Sequence, residues 1–538
     1  SLSHPNLMPS GNRFLVSRAT RGADGHRSQP TKRFRFNVRS RVSDGNALAR
    51  GETIGNEAQG YLGPMIRDKV PYLATTSRAD FLSAFNKRVN NVPRGNIAPA
   101  VRGRSRQLIK EIAPTPLPKF DWDVDLFQSW NSQFDSEKQA RMVKAYDLLS
   151  SHNLRDYSSK ELFTKIEALV KPHDSVAPRI IFKGSDVYNC ISGPIFTELM
   201  VRLKACENNV STAKVMFAYK QHTPEISAFL EAEFRPKSCI EADFSSNDAT
   251  QVADVLDLEL ALMQRLGCPK WFLKLHRSAS RSYSVYNTKY GVSAVAEHQL
   301  ATGATDTTFR NSFWNLCIFY YWVKKHKVDK PRVVILGDDM LAVLRERVRR
   351  GAANYERAAS EARMVAKATM APKLSKCHFL SKHFVPSDST GEHVMLPMIG
   401  KVLAKFNARP NANQGVTDDE YMAGKSLSHA YEYRHCHVLR NLFVRRANRH
   451  LAASGGTYSL EGVTYHVRVF SLHKGMIDSF LSGSMFHEDL VTPDDLSRFW
   501  DMLAGLTFSD VFPLAESIIL GDGYALLEDF VATQLVDY

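Results

Sequence analysis

Residues 331–344, PRVVILGDDMLAVL, set an apolar run on either side of Gly337-Asp338-Asp339. Two such runs joined by a Gly-Asp bend predict a β-hairpin, or a strand-to-turn unit, with an acidic tip. Strands this apolar need a sheet with cover, and the chain has the material for it. With 538 residues, 44% of them apolar, it can build several large cores. A near copy, ESIILGDGYALL at 516–527, offers the same signal with one acid, Asp522.

Charge narrows the partner class. The chain carries 70 Lys+Arg against 56 Asp+Glu, a net +14. Residues 1–50 hold ten cations and two acids, whereas residues 481–538 hold eleven acids and only Arg498. The middle is therefore basic, which suits a polyanion such as nucleic acid and equally serves solubility. Seven scattered cysteines without a CxxC pair point to a reducing compartment and no disulfide framework. His429, His435, Cys436 and His437 cluster, but without a second ligand pair at zinc spacing they read as a helix face. No apolar run approaches the roughly 20 residues of a membrane span, and no secretory signal is present. The strongest run, FWNLCIFYYWV at 313–323, reads as a buried helix.

Along the chain, residues 1–60 form an Arg/Ser/Gly-rich arm without periodicity. Residues 136–154 and 193–209 have helical spacing. SCIEADF, 238–244, predicts a buried strand, and 249–267 a helix stopped by Gly267. Residues 282–300 give two strands around KYG, and an apolar helix runs to about 325. Residues 345–370 read as one basic helix, and 400–538 as mostly helical.

The acids make a constellation. Asp243 ends its own apolar strand and Asp248 follows five residues later. Pairing that strand with the hairpin sets Asp243 beside Asp338 at a solvent-open edge. Two carboxylates so placed repel unless a dication neutralises them, and oxygen donors suit Mg²⁺ or Mn²⁺. Two such ions about 4 Å apart activate a hydroxyl and stabilise a leaving pyrophosphate. GDD alone is also an ordinary surface turn.

Between the two acidic segments lies TGATDTTFRNSFWN, 302–315. Its Gly303, Thr307, Asn311, Ser312 and Asn315 stand in the register [S/T]GxxxTxxxNSxxN. In order and spacing, DFSSND, this segment and GDD resemble motifs A, B and C of the RNA-dependent RNA polymerases of positive-strand RNA viruses, in a nodavirus-like or tombusvirus-like branch. The resemblance implies that Asp243 and Asp338 hold two metal ions, supported by Asp339. It implies too that Asp248 with Asn311 reads the ribose 2′-hydroxyl, where reverse transcriptases carry an aromatic gate. Gly303 lets backbone approach without a Cβ, and Thr307 and Asn311, four apart, share a helix face. Thr302 stands where the family usually has Ser, keeping the hydroxyl and adding a β-branch. Capping of the helix near TDTT is the other use for these polar residues.

VKPHDSVAPRIIFKGSDVYN, 170–189, resembles motif F, whose Lys171, Arg179 and Lys183 would line the nucleotide channel. Residues 370–386 resemble motifs D and E, with Lys373 first and Lys376 second as donor of a proton to pyrophosphate, and FLSK, 379–382, as a hairpin on the primer end. The second tip lacks room for the same machinery: Asp489 precedes Asp522 by 33 residues, whereas Asp243 precedes Asp338 by 95. It reads as a turn.

The resemblance implies an α+β right hand of fingers, palm and thumb, its antiparallel palm sheet flanked by helices. Expected divisions are an arm (1–60), fingers (61–235 and 269–300), palm (236–268 and 301–404) and thumb with an acidic C-terminal region (405–538). Expected partners are an RNA template and product strand, ribonucleoside triphosphates and other viral replication proteins. The expected location is a replication complex in the host cytoplasm that meets membranes through partners. Two alternatives stay open: another two-metal enzyme, such as a reverse transcriptase or nuclease, and a non-catalytic RNA-binding or capsid protein.

Overall fold

The computed structural model describes residues 60–89, 95–171, 177–231, 235–245, 251–410, 415–465, 467–470, 473–485 and 488–538, with the backbone of a strand at Phe34–Val38. Helices and strands are interleaved from Lys160 to Pro397 and the chain is nearly all helical beyond it, an α+β arrangement. Most of the basic arm, and Asp248 with it, lies outside the described residues.

The hairpin sits in a five-stranded sheet made of β1 (Lys214–Phe217), β2 (Ser238–Phe244), β3 (Arg332–Leu336), β4 (Asp339–Leu344) and β5 (Ala366–Ala371). Their order is β5-β2-β4-β3-β1, antiparallel throughout except for the parallel pair β3–β1. The apolar runs alternate between two cores. Val333, Ile335, Met340, Ala342 and Leu344 face one, and Val334, Leu341 and Val343 face the other.

The first core is covered by α1 (Ala253–Arg265), α2 (Lys270–Arg281), α3 (Thr307–His326) and α4 (Gly351–Glu361). The run Phe313–Val323 in α3 is buried all round, as its composition requires of a central helix. No single described helix is long and apolar enough to cross a membrane.

The basic helix expected over 345–370 is a correction. Only Gly351–Glu361 is helical, Arg363 turns the backbone to a φ of +61°, and 366–371 becomes β5. Pairing with β2 outweighs the helical preference of an Ala-rich stretch. The two strands around KYG form as expected, Tyr283–Asn287 and Val292–Ala296, in a second sheet with Lys160–Thr164, Ile180–Gly184 and Phe34–Val38.

Helices at 418–432, 437–453, 493–504 and 508–520 share a separate core. His429 packs there against Phe406 and Phe443, a packed helix face rather than a metal ligand. Residues 61–66, expected with the N-terminal segment, join this C-terminal unit. Leu62 N–H donates to Asn407 O at 2.6 Å, and Pro64–Ile66 pairs in parallel with Ala525–Leu527. Arg67–Glu528 (2.8 Å) and Lys69–Asp537 (2.7 Å) tie the acidic end down, so this region packs rather than extends.

Candidate active site

Strand register assembles the acids. Leu341 of β4 pairs with Glu241 of β2 at the turn end of their ladder, and Asp339 and Asp243 lie two residues beyond it on the two strands, the Asp243 charge acting on Asp339 beside the tip residue Asp338. The turn Gly337-Asp338 has two residues, with Gly337 at φ +60°, the demand of a hairpin whose first central residue is left-handed. Asp243 and Asp338 are exposed, while Asp339 is half-buried.

Their fields interact. Burial, then the Asp338 charge, push the Asp339 carboxyl up to about 6. Burial, with Asp243 and Asp339 adding to it, takes Glu241 up to about 7. A dication would relieve this crowding of negative charge, and the donors are carboxylate oxygens, so the residues fit Mg²⁺ or Mn²⁺. Glu241 escaped the sequence reading, although the i, i+2 spacing of Glu241 and Asp243 in a strand puts both on one face.

The helix α3 holds the turn in place. Ser312 Oγ accepts from Gly337 N–H at 2.8 Å, and Asn315 Nδ2 donates to Gly337 O (3.1 Å) and Asp339 O (3.2 Å). Thr307, Asn311 and Asn315 follow at four-residue intervals on one face. Asn311 is buried, and its Oδ1 accepts from Gln251 Nε2 at 2.6 Å. Thr307 Oγ1 donates to Ala301 O at 3.2 Å, and Thr302 O accepts from Phe182 N–H at 2.9 Å. Gly303 has φ +89°, and a Cβ there would come within 3.3 Å of Ile181, so side chains are disfavoured twice over.

The expected cations divide. Arg179 makes a two-pronged pair with Glu167, Nε to Oε1 at 2.7 Å and Nη2 to Oε2 at 2.5 Å. That pairing holds its guanidinium above the ordinary value, with the Asp338 charge adding to it. Lys171 is exposed, and partial burial and neighbouring Arg88, Lys87 and Arg179 lower it. Lys183 instead lines a groove of about 2000 Å³ with Arg141, Lys144 and Arg155, and none of the tip acids lines it.

Lys373, the first choice for a proton donor, has a rival on the neighbouring strand. Lys373 follows β5, whose Ala371 pairs with Cys239 at the far end of β2, while Lys367 pairs with Asp243 itself. Taking 366–371 for helix hid that lysine. FLSK does turn as a hairpin, between His378–Phe379 and Lys382–Pro386. Leu380 and Ser381 take φ of +53° and +59°, and Leu380 N–H donates to Asp339 Oδ2 at 3.1 Å.

Beneath the start of α3 is a buried network that no spacing foretold. His276 Nε2 lies 2.6 Å from Glu259 Oε1 and 3.5 Å from Asp306 Oδ2, and Arg310 Nε lies 3.5 Å from Glu259 Oε1. Burial, then Glu259, push Asp306 up to about 7. Arg310 and His276 overcome burial to hold Glu259 low, so the proton the two carboxyls share rests on Asp306. Glu259, His276 and Asp306 bring ligand atoms within 4.8 Å of one another. Arg310 already supplies the positive charge there, so the trio does not fit a divalent ion.

A family model described as RNA dependent RNA polymerase matches residues 49–475. The chain is similar to the RNA-directed RNA polymerase 2a of Tomato aspermy virus, 25% identical over 299 residues, 53% of this chain and 34% of that protein. It is 30% identical over 104 residues to the non-structural polyprotein pORF1 of avian hepatitis E virus, 19% of this chain and 6% of that one. A third relative, the methyltransferase/helicase/RNA-directed RNA polymerase of Raspberry bushy dwarf virus, is 24% identical over 152 residues, covering 28% and 9%. The chain thus spans about a third of the first relative's length and less of the others.

Proposed function

The chain belongs to the family of RNA dependent RNA polymerases, and on that premise we propose that it copies an RNA template, adding ribonucleoside monophosphates to an RNA 3′ end for viral replication. The observation that carries this reading is the β2–β4 pairing that brings the ends of the two strands together, so that Asp243, Asp338 and Asp339 crowd their charges beside a turn clamped by Ser312 and Asn315.

In this reading residues 236–268 and 301–404 are the palm, 67–235 and 269–300 the fingers, and 405–538 with the joined segment 61–66 the thumb, with 1–60 an arm. Asp243 and Asp338 would hold two Mg²⁺ or Mn²⁺ ions, which would supply activation of the 3′-hydroxyl and stabilisation of the pyrophosphate. The chain does the rest by position and charge. Asp339 keeps the primer-side hairpin in register through Leu380 N–H. Asn311, with Asp248, reads the 2′-hydroxyl from α3, the Gln251 amide holding Asn311 ready. Thr302, Gly303 and Thr307 shape the loop against the strand that carries Lys183.

Arg179 receives phosphate oxygens in place of the Glu167 carboxylate, a like-for-like exchange of forked partners, while Lys171 draws the triphosphate in. Lys367, opposite Asp243, takes the proton-donor role first expected of Lys373. Template, product strand, ribonucleoside triphosphates and other replication proteins are the partners, in a cytoplasmic replication complex of the host.

Primer extension on an RNA template with Mg²⁺ or Mn²⁺ tests the reading. Intact protein should extend with ribonucleotides and the Asp338→Ala protein should not. Equal extension by both would overturn it, and a preference for deoxyribonucleotides would favour the reverse-transcriptase alternative.

A further inference from the structure

The central sheet has a second end, and its chemistry is the reverse of the first. β1, β2 and β3 begin there and β4 ends there, so three connecting segments meet side by side. Lys214 N–H donates to Pro331 O at 2.9 Å, Lys237 N–H to Leu344 O at 3.0 Å, and Arg345 Nε to Lys330 O at 3.3 Å. On those segments Lys237, Lys327, Lys330, Arg347, Arg349 and Arg350 are exposed. Among the described residues none of the six has an acidic partner, although neighbours such as Arg332 and Lys325 do make contacts. Asp329 and Glu346 are the acids between them.

Backbone conformation adds an independent mark. Lys327, Lys330 and Arg350 take φ of +50°, +32° and +53°, in the left-handed region where glycine or asparagine would sit at least cost. Three turns that favour small neutral residues carry cations instead. Retaining them there has a conformational cost, and solubility is served as well by cations at any relaxed position.

We propose that this belt is a second RNA-binding surface, remote from the acidic tip, that grips the sugar-phosphate backbone of an RNA duplex. Leu344 lies five residue steps along the strand from Asp339, so the belt lies roughly 17 Å from the catalytic end. No large apolar side chain among the described residues is exposed on its three segments. A bilayer anchor needs such side chains, and single strands are held by aromatic stacking, so contacts limited to phosphates favour a duplex. The identity of the partner rests on the polymerase reading, but the surface and its charge do not.

The test uses the full chain and a short RNA duplex, with affinity measured across a range of KCl concentrations. Replacing Arg347, Arg349 and Arg350 by Gln should weaken binding about ten-fold or more at moderate salt. It should also make the dependence of log K on log salt shallower by about 2, since each phosphate no longer neutralised removes roughly 0.7–0.9 from the slope. Single-nucleotide addition at saturating RNA should stay within about two-fold of the parent. The pair Lys237→Gln/Lys330→Gln should shift the slope in the same direction, and thermal melting of both variants decides which is folded and so which is read. An unchanged slope in a folded variant overturns the proposal. So does loss of binding to phosphatidylserine vesicles with duplex affinity intact, which would make the partner a membrane. If the parent chain binds duplex through the belt but extends no primer, the polymerase reading fails and this surface stands.

Discussion

Two stretches of this chain share the residues Ile-Leu-Gly-Asp, at 335–338 and at 519–522, and fold differently. In the first, Ile335 and Leu336 close a strand paired on both sides, and Gly337 begins a two-residue turn. In the second, Ile519 and Leu520 end the helix Phe508–Leu520, and the chain only later becomes a strand at Ala525–Leu527. The strand expected before Asp522 is therefore absent. Thr507 and Asp510 form a capping box, and Val511, Leu514, Ala515 and Ile518 are buried at helical spacing. The decision lies in the dozen residues upstream, which the apolar run alone does not reveal. Function follows the same divide. Asp338 sits on a sheet hairpin beside Asp339, which feels the charges of both Asp338 and Asp243, whereas Asp522 is exposed and pairs with Arg449 at 2.8 Å.

The largest effect should separate the two aspartates. Asp338→Asn should reduce primer extension by three orders of magnitude or more, on the order of 4 kcal/mol of transition-state stabilisation. Asp522→Asn should leave extension within two-fold and cost at most about 0.5 kcal/mol in denaturant unfolding, since its ion pair is exposed. Loss of activity in the second variant would dissolve the contrast.

Next in size is the clamp that only the first turn has. Asn315→Ala removes the donor to Gly337 O and Asp339 O, which should destabilise by about 1–3 kcal/mol and lower kcat by about ten- to a hundred-fold through misplaced carboxylates. Chemical denaturation and single-turnover kinetics on one preparation separate the two.

A closer comparison uses the glycines. Gly337 and Gly523 have φ of +60° and +72°, and an added Cβ meets nothing within 4 Å at either. Alanine at each should therefore cost a similar ~1–2 kcal/mol of backbone strain, read as a shift in melting temperature. Only Gly337→Ala should also slow extension.

The smallest expected effect is on pH. The first turn rests on α3, whose N-cap Asp306 keeps its proton up to about 7 in the folded protein against an ordinary value of 3.8. It faces Glu259, His276 and Arg310, with Lys160 and Tyr188 close by. The unfolded chain releases that proton first, so this group's contribution to stability falls as pH rises from about 4 to 7 and then levels. Asp306→Asn should flatten that part of the urea-midpoint profile.

Much of the site was legible because its logic is short-range. The strand ending in Asp243, the Gly-Asp turn and the four-residue spacing from Thr307 to Asn315 each need only a few neighbouring residues. Pairing was legible only in outline. That Lys367 rather than Lys373 pairs in register with Asp243 depends on β5, a strand with helix-like composition held against the edge of β2. The network of Glu259, His276, Asp306 and Arg310 draws on three helices and a loop, with no repeat to mark it. The belt of cations at the other end of the sheet was visible as composition, while its clustering came from strand direction.

The parallel pairing of Pro64–Ile66 with Ala525–Leu527 has a consequence for synthesis on the ribosome. At about 5–20 residues per second, the second strand emerges roughly 20–90 s after the first. Throughout that interval the early segment waits with its edge uncovered, open to chaperones and to neighbouring nascent chains. Elongation speed and chaperone supply should therefore influence the yield of folded chain alongside its final stability.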